Sequence, residues 1–381
     1  MSQAAPGPYN KLTIDLEAIA HNLRALRTIM PKGLRVAGTV KSDGYGHGMV
    51  AVARKLKEAG AEFLAVAHAA EGAVLRREGL AGQILLLLGL HPSEMTQAAR
   101  LRLTPVLFDL ETMAALSDVA TGLGLRAQCH LKVDTGMGRL GVRPEDALEL
   151  LRAARALRGL EVRGLTSHLA TGGSADRAMA DEQAAVFGQL LAAARAEGFD
   201  LPDSSLCNSG GAMDPPAAAP GPPHVVRLGI ALYGGLPDPA MAGRLDLRGA
   251  MGLASQLIAV RPARRGQPVS YGCTWRADCD TWLGVVPLGY GDGYPRAASN
   301  NGFMLVHGQR APIVGRVCMN LTVLDLGGFD PLPQVGDEVV ALGGQGADEI
   351  TCDELASWCQ TISYEIVCRL GAANPRIHEP A

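Results

Sequence analysis

Along the first 235 residues, short apolar runs alternate with amphipathic stretches of helical spacing, the pattern of βα units and a parallel sheet. Eight runs read as strands: Leu34–Val40, Phe63–His68, Ile84–Gly89, Leu103–Phe108, Ala127–Val133, Val162–His168, Ser205–Ser209 and Val225–Ala231. Between them, Met49–Ala59, Glu111–Leu123, Pro144–Leu157 and Arg177–Glu197 are rich in Ala, Leu, Arg and Glu and read as helices. Eight parallel strands in about 240 residues is the size of a closed (β/α)8 barrel. A doubly wound open sheet is the alternative, but no GxGxxG follows the first strand. Ahead of the first strand, Asp15–Met30 has Asp15 as N-cap and Leu16, Ile19, Leu23 and Leu26 on one face, a helix suited to the barrel's seam.

Past residue 245 the pattern shortens. Leu253–Arg261, Trp282–Leu288, Met304–Val306, Ala311–Cys318, Thr322–Leu326 and Glu338–Leu342 are β-type runs punctuated by Gly, Pro and Asp. The expected fold is therefore α/β, a (β/α)8 TIM barrel over residues 12–245 followed by a mostly β domain over 246–381, with residues 1–11 packing on the latter. The Pro- and Ala-rich stretch Pro215–Pro223 reads as a flexible surface excursion.

Composition narrows the function classes. The chain of 381 residues is 48% apolar, enough for full-sized cores, and 38 acidic against 35 basic side chains leave a net charge of -3. Nothing there draws it to nucleic acid or to anionic lipid. The apolar run Ile84–Leu88 is far short of the roughly 20 residues that span a bilayer. The N-terminus lacks the features of a secretory signal, so a cytoplasmic location is expected. Eight cysteines occur without a CxxC pair and read as buried small hydrophobes, with no metal site expected.

Only six of the 35 basic side chains are lysine, so a lysine in an unusual setting stands out. Lys41 directly follows the first apolar strand, in Val40-Lys41-Ser42-Asp43-Gly44-Tyr45-Gly46-His47-Gly48. Burying an ammonium is costly unless it is paired or loses its charge. Two readings fit the spacing: a strand-end lysine reaching solvent, or a desolvated amine that attacks a carbonyl.

The VKSDGYGHG segment resembles the lysine-bearing motif of the alanine racemases, the barrel family of pyridoxal-phosphate enzymes. Nine further segments agree in the family's order, covering residues 13–370. They are TIDLEAIAHNLRALR (13–27), HLKVDTGMGRLGV (130–142), GLTSHLA (164–170), CNSGGA (207–212), VRLGIALYG (226–234), VSYGCTW (269–275), GYGDGYPR (289–296), GRVCMN (315–320) and SYEIVCRL (363–370).

The resemblance implies that Lys41 holds pyridoxal 5'-phosphate covalently, an electron sink for the pair left when an amino acid loses its α-proton. It implies a phosphate site made of Tyr45, Ser209, Tyr364 and the backbone N–H groups of Gly229 and Ile230. Racemisation takes two bases on opposite faces, and the resemblance assigns them to Lys41 and to Tyr271 of a second subunit, so a homodimer with shared active sites is expected. His168 would hydrogen-bond the tyrosine oxygen, and Arg227 would bond the pyridine nitrogen and contact His168. Since a guanidinium does not readily give up its proton, that nitrogen would stay unprotonated, which weakens the sink and favours racemisation over transamination. Arg139 matches the arginine that reaches the cofactor's phenolic oxygen and the substrate carboxylate. Lys132 matches a lysine often carbamylated, whose negative charge would orient Arg139. Met319 matches the residue whose backbone N–H meets the substrate carboxylate across the interface, and Tyr290 and Tyr364 narrow the entrance. The implied reaction is interconversion of L-alanine and D-alanine for cell-wall peptidoglycan.

The chain departs from the family pattern in places. Asn320 stands where Asp usually follows the methionine, and Ser42 and Gly44 replace the commoner alanines. Asn320 alters an acidic gate, so a broad-specificity or serine racemase remains an alternative. A barrel decarboxylase of the same cofactor class would carry a cysteine base and an acidic pyridine partner, where this chain offers Tyr271 and Arg227. A non-catalytic pyridoxal-phosphate carrier could dispense with residues 246–381.

Overall fold

The structure, a computed structural model, describes residues 9–217 and 224–379. Residues 1–8 and most of the Pro215–Pro223 excursion lie outside the described residues. The first strand, β1 (Lys11–Ile14), leads into the helix Leu16–Ile29, capped by the Asp15 carboxylate accepting from the Ala18 N–H at 2.9 Å. That helix buries Ile19, Leu23 and Leu26 together with one amide, Asn22. Asn22 donates to the Leu232 and Arg248 carbonyls (3.1 and 2.8 Å) and accepts from the Arg248 N–H (2.7 Å), so no buried polar cost remains and the helix is docked on the end of the barrel.

Seven regular parallel strands follow: β2 (Arg35–Thr39), β3 (Phe63–Val66), β4 (Gln83–Leu86), β5 (Thr104–Leu107), β6 (Ala127–Lys132), β7 (Leu160–Thr166) and β8 (Val225–Leu228). They lie in the order β7-β6-β5-β4-β3-β2-β8. Between them run Met49–Glu58, Ala69–Arg77, Met95–Arg100, Leu110–Gly122, Ala147–Arg155 and Ala178–Ala196, each touching its neighbour in a ring.

The run expected as the seventh of eight strands, Ser205–Ser209, is corrected to a single β-bridge, Ser205 with Thr166, and Ser209 instead opens the short helix Ser209–Met213. Ser204 shows why. Its hydroxyl, not a carbonyl, accepts the Leu165 N–H (2.9 Å) while donating to the Leu201 carbonyl (2.8 Å), so one ladder rung is made by a side chain. The segment still joins both sheet edges: Ser205 N–H bonds Leu165, and Val225 and Arg227 N–H bond Ser204 and Cys207.

The C-terminal part is mostly β. Its main sheet carries Gln309–Pro312, Phe303–Val306, Glu338–Gln345, β9 (Met251–Gln256), β1 and Arg376–His378 in that order. β1 pairs antiparallel to β9 and parallel to Arg376–His378, so the first described strand belongs to this sheet although residues 12–14 fall within the span expected for the barrel. A three-stranded sheet (Ala259–Ala263, Thr281–Val286, Thr322–Asp325) and the hairpin Pro268–Val269/Trp275–Arg276 carry the remaining loops. All eight cysteines are free thiols. Cys273 and Cys279 are exposed and Cys318 and Cys368 half-buried, so burial holds for only four of them. No helix among the described residues is long and apolar enough to cross a membrane.

Candidate active site

Side chains at the C-terminal ends of barrel strands converge on a cavity of about 390 Å³, where barrel sites form. Lys41 stands at its wall, two residues past β2. Burial, then the nearby Arg139 and Arg227 charges, hold its amine below the ordinary lysine range, which favours the neutral nucleophile. The turn that carries it is left-handed: Ser42, Asp43 and Gly44 have φ of 54, 53 and 64° with ψ of 48, 48 and 42°, and Tyr45 has φ of 53°. Each such non-glycine residue costs about 1–2 kcal/mol, so the turn persists only where neighbours fix it.

Tyr45, Tyr364, Ser209, Gly229 and Ile230 line one end of the cavity. A Cβ added to Gly229 would lie 2.7 Å from the Tyr45 hydroxyl oxygen and 4.0 Å from Ser209 Oγ, so glycine keeps open a cradle ringed by hydroxyls. The Gly229 N–H donates to Ser209 Oγ at 2.8 Å, so within the chain this N–H is already paired, and it polarises the hydroxyl instead of facing the cavity directly. Burial pushes the Tyr364 phenol up to about 12 and Tyr45 still higher, so both remain donors, suited to a phosphate's acceptor oxygens.

Arg227, fully inside the barrel, uses both terminal nitrogens on the protein. One meets the Ser205 carbonyl (3.0 Å) and hydroxyl; the other meets the Ser167 carbonyl (2.6 Å), His168 Nδ1 (2.9 Å) and the Leu206 carbonyl (3.4 Å). Nε–H alone is left for the cavity among the described residues. Because guanidinium only donates, His168 Nδ1 accepts and its proton sits on Nε2. Burial, with Arg227 and Lys132 beside it, drops the His168 pKa to about 2, so the ring is a neutral donor through Nε2. The Asn208 amide nitrogen 3.4 Å from Nε2 is itself a donor and satisfied at the Leu169 carbonyl (3.2 Å). Gln183 fixes the loop by donating to the His168 carbonyl (2.9 Å) and accepting from the Ala170 N–H (2.8 Å).

Lys132, at the end of β6, and Arg139 complete the cationic wall. Burial and the Arg227 and Arg139 charges bring the Lys132 amine down to about 7. Among the described residues no carboxylate lines the cavity. A wall of two amines and two guanidinium groups favours anionic groups.

Tyr271, Met319, Tyr290 and Asn320 are not brought to this cavity within the chain. They cluster on one face of the C-terminal domain, with Tyr271 73% and Met319 58% exposed. The Tyr290 and Gly291 N–H groups bond the Cys318 and Met319 carbonyls (3.0 and 2.7 Å), and Ser270, at φ 60°, donates to the Arg316 carbonyl (2.6 Å), which joins the three loops. Asn320 donates to both oxygens of Asp292 (3.4 and 3.2 Å). Sequence reasoning missed Thr39, Leu87, Leu88, Val106, Leu140, Thr166 and Asn208 in the lining. Thr39 and Thr166 end barrel strands, Leu87 directly follows one, and Leu88 and Val106 lie within two residues of a strand end, a positional signal that could have found them; Asn208 caps Ser209–Met213.

Residues 14–237 match the family described as alanine racemase, N-terminal domain, and residues 250–378 match alanine racemase, C-terminal domain. The chain is 40% identical to an alanine racemase of Syntrophobacter fumaroxidans over 94% of both chains, and 39% identical to one of Desulforamulus reducens over 96% of this chain and 97% of that one. Among solved structures, alanine racemase from Streptomyces lavendulae superposes with a TM-score of 0.92 at 34% identity, covering 99% of this chain and 98% of that one. The biosynthetic alanine racemase of Pseudomonas aeruginosa gives 0.88 at 34% identity, covering 98% and 99%. With both domains matched in order and a cationic barrel cavity built around Lys41, the chain belongs to the alanine racemase family of amino-acid isomerases.

Proposed function

We propose that the chain is a pyridoxal-phosphate-dependent racemase that interconverts L-alanine and D-alanine, working as a cytoplasmic homodimer that supplies D-alanine for peptidoglycan. The observation that carries this is the cavity lined by Lys41, Lys132, Arg139 and Arg227, with no carboxylate among the described residues that line it, ending in the hydroxyl cradle at Gly229. Bound pyridoxal phosphate supplies an electron sink for the α-carbon. Lys41 would hold it through its amine, Tyr45, Tyr364, Ser209 and the Ile230 N–H would take the phosphate, with the Gly229 N–H acting through the Ser209 hydroxyl it already bonds, and Arg227 Nε–H would serve the pyridine nitrogen. Arg139 and the Met319 N–H bind the substrate carboxylate.

Lys41 Nζ, freed once the substrate's amine takes its place on the cofactor, would move the proton on one face, and the hydroxyl of Tyr271 from a second subunit would move it on the other. His168 Nε2–H donates to that tyrosine oxygen, lowering the cost of its anionic form. Lys132, with an amine that titrates near neutrality, is suited to add carbon dioxide with release of a proton; the resulting carbamate pairs with Arg139 and holds it toward the substrate. Tyr290 and Tyr364 narrow the entrance to small side chains. Asn320, neutral and bonded to Asp292, supports a second reading of wider substrate range, which turnover of alanine, serine and lysine compared side by side decides. The main reading is tested by following loss of α-deuterium from each alanine enantiomer in wild type, Lys41→Ala and Tyr271→Phe. Each variant should lose exchange with one enantiomer far more than with the other, and Tyr271→Phe exchanging both at wild-type rate would defeat the two-base assignment.

A further inference from the structure

The left-handed turn behind Lys41 is held from outside the barrel as well as from within. Inside, the Glu71 carboxylate accepts from the Ser42 N–H and the Ala67 N–H, both at 2.7 Å, tying the turn to the end of β3. Outside, the strand Arg376–His378 reaches the same turn. Arg376 pairs with Asp43 Oδ2 at 2.6 Å and donates to the Gly46 carbonyl at 3.2 Å. His378 Nε2 lies 2.9 Å from the His47 carbonyl, to which it donates. The other Asp43 oxygen accepts from the Met49 N–H at 2.8 Å, so this carboxylate links the strand, the turn and the start of the helix Met49–Glu58.

The fit is close. A Cβ on Gly371 would lie 2.0 Å from the Gly46 carbonyl oxygen, and one on Gly48 would lie 2.8 Å from His378 Nε2. Because Arg376–His378 runs parallel to β1, itself paired to β9, the tether is anchored in the C-terminal sheet of the same chain.

We infer that Arg376 and His378 are positioning residues for the reaction: they fix the left-handed turn that aims the Lys41 amine and the Tyr45 hydroxyl into one cavity. This rests on the reading of Lys41 as the cofactor's anchor. On that reading the C-terminal domain acts on the site twice, in trans through Tyr271 and in cis through this strap. A chain without the strap leaves Ser42, Asp43 and Tyr45 in an unfavourable region with fewer bonds to hold them, so the amine samples several directions.

The test compares holoenzymes of wild type, Arg376→Ala, Arg376→Lys, His378→Ala and Asp43→Asn. Arg310→Ala serves as control, since Arg310 pairs with Asp348 and Glu354, none of which lines the cavity. Readouts are kcat and KM for L-alanine, the visible circular dichroism of the bound cofactor, and the melting temperature. Arg376→Ala should lower kcat about tenfold or more with KM within about threefold, and weaken the visible dichroism. Arg376→Lys should recover part of both, and Asp43→Asn and His378→Ala should shift them the same way by less. Arg310→Ala should change only melting. If Arg376→Ala does not fold, Arg376→Lys and Asp43→Asn decide. Wild-type kcat and dichroism in the folded variants, or changes no larger than those of Arg310→Ala, overturn the inference. A wild type that gains no visible chromophore with pyridoxal phosphate would instead remove the cofactor reading, and the positioning role with it.

Discussion

Arg227 does three things with one guanidinium. Four of its five N–H directions are taken by Ser205, Ser167, Leu206 and His168, so its plane is fixed and Nε–H points where those bonds leave it. Its donation to Nδ1 sets the His168 tautomer. Its cationic form persists despite full burial, which lowers its pKa only to about 10. Replacing it with Glu puts an acceptor against the Ser167 and Ser205 carbonyls and, on the proposed reading, would offer the cofactor's pyridine nitrogen a proton. Arg227→Glu should therefore release more pyruvate per racemisation turnover, besides losing much of the rate. Unchanged partitioning between the two outcomes would contradict the role given to the guanidinium. Gly229 makes a second residue-scale case. In Gly229→Ala the methyl meets the Tyr45 oxygen at 2.7 Å, closer than real contacts allow. The apoenzyme should take up pyridoxal phosphate with affinity weakened about tenfold or more, a loss of roughly 1.4 kcal/mol, while melting changes little. Equal affinity in a reconstitution titration would remove the phosphate from this cradle.

Among elements, how much could be read beforehand tracks how local the cause is. The helix Leu16–Ile29 was legible because Asp15 and the spacing of Ile19, Leu23 and Leu26 suffice to specify it. The strand expected at Ser205–Ser209 was not, because whether Ser204 uses its hydroxyl or leaves the rung to a carbonyl depends on where Leu165 lies. The sequence after Lys41 does not specify the hand of its turn, which is imposed by Glu71 and by Arg376 and His378 from two distant places in the chain. Of the expected site residues, those ending barrel strands come together. Tyr271, Met319, Tyr290 and Asn320 do not, as the proposed shared site requires, since such a site would be a property of two chains. Two of these elements also carry buried imidazoles, His47 in the turn and His130 in β6. Burial holds both near 4, in His47 against the pull of Nδ1–H bonds to the Gly44 and Tyr45 carbonyls, and in His130 with Asp203 opposing and Arg227 adding to the shift. Both are neutral in either state above pH 6.5. Below it the unfolded chain binds protons that the folded chain refuses, so stability falls with pH between about 6.5 and 4, by about 1.4 kcal/mol per pH unit for each ring. Urea midpoints at pH 7.5, 6.0 and 5.0 should decline in that order, and a flat series would mean that the folded rings take up protons.

At the scale of the whole molecule, the proposed base pair is divided between two faces that one chain keeps apart: Lys41 in the barrel cavity and Tyr271 exposed on the C-terminal domain. If each site draws its barrel from one subunit and its tyrosine from the other, two crippled chains can repair each other. A Lys41→Ala subunit keeps Tyr271, and a Tyr271→Phe subunit keeps Lys41. In a mixed dimer one site has lost both groups and the other has both intact. Unfolding an equal mixture and refolding it gives half mixed dimers, each with one working site of two, so activity should return to about a quarter of wild type. Neither parent alone regains that level after the same treatment. A site built within one chain gives a different answer, because every barrel then carries its own defect and mixing restores nothing. Recovery that grows with the square of total subunit concentration at high dilution would tie the activity to assembly itself, and a mixture that stays as inactive as its parents would return Tyr271 to an ordinary surface residue.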